Sequence, residues 1–154
     1  MQTGLVWRNR RGMGMPRTPA LTTDCVLFDA AGRVLLIRRK HPPFQGAYAL
    51  PGGFVDVGET VEAACRRELA EETGLEAGPL SLIGVYSDPA RDPRGHTVSV
   101  AFLATPKTAA AAQPVAGDDA AAAEWVADWH GLAIAFDHAQ ILEQAERLRG
   151  RAQG

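Results

Sequence analysis

The stretch from residue 53 to residue 75 constrains the fold of this chain most, because its pattern fixes two glycines, four glutamates and one arginine at set spacings. The pattern reads G-x5-E-x7-R-E-U-x-E-E-x-G-U, where U is an apolar residue. Thr60 is suited to cap the N-terminus of a helix, and Gly74 to end it in the left-handed conformation. An apolar stripe recurs at i, i+4 and i+8 along one side, formed by Val61, Cys65 and Leu69. The stretch therefore predicts one amphipathic helix.

Three glutamates share another side of this predicted helix, because Glu68, Glu71 and Glu72 fall at i, i+3 and i+4. Carboxylates this close repel one another by a few tenths of a kcal/mol per pair, whereas a divalent cation would use the same oxygens as ligands. Such hard oxygen donors suit Mg²⁺ or Mn²⁺. Arg67 and Glu59 could brace the ligands without touching the metal. The alternative for three glutamates at this spacing is a solvated acidic face.

The complete pattern resembles the Nudix box. This resemblance implies an α/β protein with the Nudix fold, an α/β/α sandwich with a mixed β-sheet. It also implies that the carbonyl of Gly52 joins the three glutamates as a metal ligand, since Gly52 lies in a tight turn just before the box. In Nudix hydrolases water attacks a phosphorus of a nucleoside diphosphate derivative, so the resemblance implies catalytic roles for Glu71, Glu72 and Arg67.

Nudix proteins usually take one further carboxylate from a loop outside the box. Asp118, Asp119 and Glu124 are the candidates in this sequence. Asp119 is our first choice, either as an extra metal ligand or as the base that activates water. The alternative is that the two aspartates only terminate a turn.

Two stretches outside the box, residues 43–56 and 86–99, resemble the bacterial and archaeal ADP-ribose pyrophosphatase branch. Together with a helix start at residues 136–138, this similarity extends from about Leu21 to Leu148. In that branch, a preference for ADP-ribose is accompanied by a proline at the position that Pro89 occupies in this sequence. The resemblance implies cleavage of ADP-ribose into AMP and ribose 5-phosphate. Two alternatives are a nucleoside triphosphate pool-sanitising pyrophosphohydrolase and, less favoured because the box is complete, a nucleotide sensor that does not hydrolyse its ligand.

Several side chains outside the box have the chemistry to bind such a nucleotide. Arginine forks match a diphosphate, and aromatic rings can stack on adenine. The candidate substrate-binding residues are Arg38, Arg39, Phe44, Tyr48, Arg91, Arg94 and His96. Each has a structural alternative: a loop salt bridge with Asp92 for Arg91 and Arg94, a core position for Phe44, and a backbone hydrogen bond for His96.

The remaining sequence predicts strands before and after the box and one further helix. Residues 21–28 and 33–39 alternate around a turn and predict a hairpin or a neighbouring strand pair. More strands are predicted at 80–86, 97–104 and 123–126, with a loop over 108–123. A final amphipathic helix is predicted after Asp137, which can cap it, with Ile141, Leu142, Ala145 and Leu148 on one side.

Composition and charge predict a single small domain at residues 18–150, preceded by a flexible extension at 1–17. Met13 or Met15 is a possible alternative start. The net charge of −2 and pI near 6.1 argue against nucleic acid as a partner.

No apolar stretch approaches the ~20 residues that a bilayer requires, so we expect no membrane partner and a cytoplasmic location. Cys25 and Cys65 are expected to be buried free thiols. A homodimer is expected because family members of this kind commonly form one.

Overall fold

The structure is a computed structural model that describes residues 14–108 and 113–153. Within these residues the elements are β1 (Ala20–Leu27), β2 (Val34–Arg39), β3 (Tyr48–Ala49), β4 (Gly52–Phe54), α1 (Val61–Thr73), β5 (Ser81–Tyr86), β6 (Thr97–Ala104), β7 (Ala120–Val126) and α2 (His138–Gln153). Most of the predicted flexible extension, residues 1–13, lies outside the described residues.

The strands form two sheets. The larger has the order β4-β1-β6-β5, in which β1 runs parallel to β6 and the other two pairings are antiparallel. The smaller is antiparallel, with the order β3-β2-β7. A mixed sheet accompanied by helices confirms the predicted α/β class.

The two helices cover opposite sides of the strands. Successive residues of β1 alternate between two clusters, because side chains along a strand point to opposite faces. One cluster joins Cys25 and Leu27 to Cys65 and Leu69 of α1. The other joins Val26 and Phe28 to Ile141 and Leu142 of α2. This arrangement is the predicted α/β/α sandwich, and each fully buried leucine or isoleucine in it stabilises the fold by about 1.5–3 kcal/mol.

The prediction that the first two strands form a hairpin within one sheet is wrong. β1 pairs with β4 and β6, whereas β2 pairs with β3 and β7. An isolated bridge joins Phe28, the residue after β1, to Val34, the first residue of β2. The turn itself forms as expected, since the Asp29 carboxylate accepts hydrogen bonds from the backbone N–H groups of Ala31 and Arg33. Both strands are apolar on two faces, so the pattern identifies burial but not the partner.

The final strand begins earlier than predicted. Residues 120–122, assigned to a loop, belong to β7, and Ala120 pairs with Arg39 of β2. Alanine has little preference for strands, so pairing with β2 decides the conformation here.

The box helix begins and ends as predicted. The Thr60 side chain accepts a hydrogen bond from the N–H of Ala63 at 3.1 Å, and Gly74 is left-handed with φ 71°. Cys25 and Cys65 are both buried and free, as expected. Among the described helices, none is long and apolar enough to cross a membrane.

Candidate active site

The glycine turn lets the carboxylates of α1 reach the backbone of β4. The N–H of Gly52 donates to Oε2 of Glu72 at 3.0 Å. A Cβ added to Gly53 would lie 2.5–2.7 Å from the carboxyl atoms of Glu68, and one added to Gly52 would overlap the carbonyl oxygen of Thr23. Gly52 therefore excludes a larger residue, because backbone atoms cannot move aside, whereas a larger residue at Gly53 would displace the Glu68 carboxylate.

Arg67 is the centre of a charged cluster on the box helix. Its guanidinium donates to Glu59 at 2.7 and 3.0 Å, to Glu68 at 2.8 Å, to Glu71 at 3.2 Å and to the carbonyl of Phe54 at 3.0 Å. The hydrogen bonds from Arg67 lower the pKa of Glu59 to about 2. Arg67 and Glu59 thus hold two of the predicted ligand carboxylates in place, the arrangement expected of residues that brace a metal site.

Glu72 is the carboxyl group most perturbed by its surroundings. Burial raises its pKa to about 8; the Gly52 N–H opposes this rise, while the charges of Glu68, Asp24 and Asp119 add to it. The positive charge of Arg39 is close enough to interact with Glu72, but it does not offset burial and the three acidic neighbours. A divalent cation would supply the compensating positive charge, so the donor set fits a metal of the Mg²⁺ class.

The carboxylates are not arranged as a preassembled metal cage. Within residues 14–108 and 113–153, no three aspartate, glutamate, histidine or cysteine side chains converge closely enough to form one. The reason is visible in the contacts, since Arg67 engages Glu68 and Glu71 while Glu72 turns to Gly52. The predicted trio shares one helix, and metal binding would exchange these internal partners for the cation.

The loop before β7 lies against the C-terminal end of α1. The N–H of Gly117 donates to the carbonyl of Glu72 at 3.0 Å. This contact brings Asp119 close enough for its charge to raise the pKa of Glu72. Glu124 is engaged elsewhere, because it hydrogen-bonds the Tyr48 hydroxyl and thereby raises the pKa of Tyr48. Between these two candidates, the structure brings Asp119 to the site.

An open cleft with a cavity volume of about 80 Å³ lies beside the glycine turn. Ligand pockets in proteins are commonly about 300–1,000 Å³, so a nucleotide bound here would lie partly outside the cleft. The cleft combines acidic, basic and aromatic groups, and its lining includes Asp24, Arg39, Gly52, Gly53, Phe54, Glu72, Arg91, Asp92, Arg94, Phe136 and His138. Such a mixture suits a ligand that carries both phosphates and an aromatic ring.

Arg91 holds the cleft wall together. Its side chain is 5% exposed and donates to both carboxylate oxygens of Asp137, at 2.7 and 2.9 Å, and to the hydroxyl of Thr97 at 2.7 Å. These bonds give Arg91 a structural role, but its partner is Asp137 and not Asp92, which pairs with Arg94 instead. They also correct the predicted helix cap. The Asp137 carboxylate accepts hydrogen bonds from Arg91, whereas the backbone carbonyl of Asp137 accepts one from the N–H of Gln140.

Sequence reasoning missed a buried pair beneath the cleft, His138 and Asp24. The N–H of Leu50 donates to Nδ1 of His138 at 3.0 Å, and Nε2 of the same ring lies 3.3 Å from Asp24. Burial would raise the pKa of Asp24, but His138, Ser99 and Arg91 together lower it. The available signal was Asp24 itself, a carboxylate inside an otherwise apolar strand.

The other predicted substrate residues divide into two groups. Arg39 and Arg94 line the cleft. Arg38, Phe44, Tyr48 and His96 lie outside its lining, and all four contact other protein groups. Arg38 donates to the carbonyl of Gly46 at 3.2 Å, and Nε2 of the exposed His96 lies 3.0 Å from the Ser87 carbonyl oxygen.

Comparison with known proteins identifies the family. A family model of the NUDIX domain matches residues 18–145. The chain belongs to the Nudix family. The Nudix neighbours among solved structures include the NUDIX domain of Shewanella oneidensis NrtR in a cocrystal with ADP ribose, with a TM-score of 0.77 and 34% identity. That match covers 86% of this chain and 90% of the other.

Two curated relatives of this Nudix chain extend over most of its length. An ADP-ribose pyrophosphatase of Methanocaldococcus jannaschii is 47% identical over 132 residues, which are 85% of this chain and 75% of that protein. The ADPR responsive transcriptional repressor NtrR of Acinetobacter baylyi is 33% identical over 135 residues, 83% of this chain. The chain spans about half of the repressor, 53% of its length.

Proposed function

We propose that this Nudix protein hydrolyses the pyrophosphate bond of ADP-ribose, giving AMP and ribose 5-phosphate. The observation that carries the proposal is that Glu72, whose pKa is raised by burial and acidic neighbours, lines the same cleft as Arg39 and Arg94. One cleft thus offers a cation site and two guanidinium groups for phosphate oxygens. Similarity to the M. jannaschii pyrophosphatase supports ADP-ribose as the substrate.

Nudix hydrolases generally use divalent metals, and we infer that Mg²⁺ or Mn²⁺ serves here. The side chains of Glu68, Glu71 and Glu72 and the carbonyl of Gly52 would hold it. When bound, the metal neutralises phosphate charge and lowers the pKa of a bound water.

The remaining residues have separate roles in this proposal. Asp119 accepts a proton from the attacking water, because the loop at Gly117 holds it beside Glu72. Arg67 and Glu59 position the ligand carboxylates. Arg39 and Arg94 bind phosphate oxygens and so orient the diphosphate for attack. The domain limits of 18–150, a homodimeric state, the absence of a nucleic-acid or membrane partner and a cytoplasmic location stay predictions.

A second candidate is a sensor that binds ADP-ribose without cleaving it. Similarity to the A. baylyi ADPR responsive repressor and to the S. oneidensis NUDIX domain complexed with ADP ribose favours it as the alternative. A nucleoside triphosphate pyrophosphohydrolase has weaker support, because the similar Bacillus subtilis putative 8-oxo-dGTP diphosphatase matches 42% of this chain.

One experiment separates these functions. The protein is incubated with Mg²⁺ and, in parallel, with ADP-ribose, NADH, diadenosine polyphosphates and oxidised dGTP, and the products are resolved by chromatography. We expect AMP and ribose 5-phosphate from ADP-ribose at the highest rate. Binding without any product would favour the sensor, and pyrophosphate released from oxidised dGTP would favour the third function.

A further inference from the structure

Phe136 lines the cleft with a backbone conformation that is unusual for an aromatic residue. Its φ is 53°, in the left-handed region that residues other than glycine rarely adopt. Bonds on both sides hold it there: the N–H of Ala135 donates to the Tyr48 carbonyl at 2.8 Å, and the next residue, Asp137, is bonded to Arg91. The surroundings therefore impose a conformation that directs this ring towards the cleft.

The Phe136 ring contacts two cationic groups at once. The Cζ atom of Arg39 lies 4.9 Å from the ring centre, and that of Arg94 lies 5.6 Å from it. Both distances are within the range of a cation–π interaction. Each arginine is also tethered by hydrogen bonds, Arg39 to the carbonyl of Pro43 at 2.7 Å and Arg94 to the Asp92 carboxylate at 2.8 and 3.1 Å.

The two guanidinium groups repel each other in this arrangement. Burial and the nearby charge of Arg94 lower the pKa of Arg39, while the charges of Asp92 and Glu72 raise it. Arg39 uses Nε for Pro43, and no other hydrogen-bond acceptor for its guanidinium is found in the described part of the chain. The terminal nitrogens of Arg39 are therefore available to an anionic ligand, and Arg94, although paired with Asp92, places a second guanidinium beside them.

The ring itself is fixed by two further rings. Phe44 packs edge-on against it with a centroid distance of 5.0 Å, and the ring of the buried His138 lies 5.3 Å away. The Phe136 ring therefore has little freedom to move, and the guanidinium groups of Arg39 and Arg94 can pack against its fixed position. Phe44 thus contacts a ring of the cleft although it lies outside the cleft lining itself.

We propose that Phe136 is a positioning residue that holds Arg39 and Arg94 as a pair for two adjacent phosphate groups. The identity of the ligand, a nucleoside diphosphate derivative, rests on the proposed function. The positioning role rests on the ring contacts alone. An aliphatic side chain of similar size fills the space but has no electron-rich face, so both guanidinium groups lose a favourable contact and the repulsion between them separates them.

The test measures ligand binding apart from turnover. Dissociation constants for ADP-ribose and for inorganic pyrophosphate are determined by calorimetry in EDTA, and kcat and KM for ADP-ribose in Mg²⁺. For Phe136→Leu we expect about tenfold weaker binding of both ligands, a similar rise in KM and a smaller fall in kcat, because the displaced arginines orient the diphosphate less well. Phe136→Tyr keeps the ring face and is the matched control, expected to bind as the unmodified protein does. Phe136→Met replaces Phe136→Leu if that variant does not fold.

A double-mutant cycle tests whether the ring acts through the arginines. In a protein carrying Arg39→Gln and Arg94→Gln, Phe136→Leu should alter ADP-ribose binding by less than about twofold. A full tenfold loss in that background would overturn the proposal, because the ring would then contact the ligand directly. Unchanged binding by Phe136→Leu in the original background would overturn it as well. If ADP-ribose binds with the expected ring dependence but is not cleaved, the proposed function fails and the positioning role holds.

Discussion

Replacing Glu72 by glutamine should stabilise the metal-depleted protein while it removes activity. Glutamine keeps the size of the side chain and an oxygen that can accept the Gly52 N–H, which donates to Glu72 at 3.0 Å. It removes the negative charge that lies beside Glu68, Asp24 and Asp119. A residue retained for metal binding at the expense of stability should behave in this way.

The magnitude follows from the raised pKa. Burial and acidic neighbours raise the pKa of Glu72 from 4.5 to about 8, a difference of about 3.5 pH units. The folded protein therefore keeps a proton that the unfolded chain releases, and stability is lost as pH rises from 4.5 towards 8. At about 1.4 kcal/mol per unit the upper bound is about 5 kcal/mol, and solvent screening with side-chain movement reduces it to about 1–3 kcal/mol.

The assay is thermal unfolding in EDTA, followed by circular dichroism between pH 5 and pH 8.5. We expect the Tm of Glu72→Gln to exceed that of the unmodified protein by an amount that grows with pH, to a few degrees at pH 8.5. Glu71→Gln is the control, because it alters an exposed carboxylate on the same helix and should change stability by less than about 0.5 kcal/mol. A Tm advantage for Glu72→Gln that is absent, or that shrinks as pH rises, would refute the reasoning.

Two further predictions concern neighbouring groups. Asp119→Asn should lower kcat about 100-fold or more and remove the acidic limb of the pH–rate profile, and an unaltered profile would exclude Asp119 as the base. Arg91→Ala should destabilise the fold by about 3–5 kcal/mol in urea unfolding, because it leaves the carboxylate of Asp137 without its partner and removes one of the groups that stabilise the charge of Asp24. A loss below about 1 kcal/mol would show that these carboxylates do not depend on Arg91.

The parts of the fold that depend on neighbouring residues could be predicted from the sequence. The box helix is the clearest case, since its cap at Thr60, its apolar stripe and its stop at Gly74 lie within fifteen residues of one another. The position of Glu72 next to the glycine turn followed from the Nudix pattern. These features depend on local geometry and so leave a local signal.

Long-range partners could not be predicted in this way. β1 pairs with β6, and Asp24 meets His138, although the intervening chain gives no sign of either contact. Alternating apolar residues indicate that a strand is buried but do not identify the strand beside it. Arg91 was similarly ambiguous, because its partner Asp137 lies 46 residues away and the neighbouring Asp92 was the obvious candidate.

Phe136 illustrates a third limit. Its left-handed backbone depends on contacts to Tyr48 and Arg91 at its two neighbours, and no residue preference indicates that conformation for phenylalanine. The sequence predicted Arg39 and Arg94, among four candidate arginines, as phosphate ligands but gave no sign of the ring that contacts both.

The most direct test of the account is the release of AMP from ADP-ribose as Mg²⁺ is titrated into the unmodified protein and into Glu72→Gln. The account predicts that AMP release by the unmodified protein saturates with Mg²⁺ and stops in EDTA, and that Glu72→Gln stays at least about 100-fold slower at saturating Mg²⁺ while remaining folded. AMP release that persists in EDTA, or near-normal turnover by Glu72→Gln, would contradict the claim that the carboxylates of α1 bind the metal that cleaves the pyrophosphate bond.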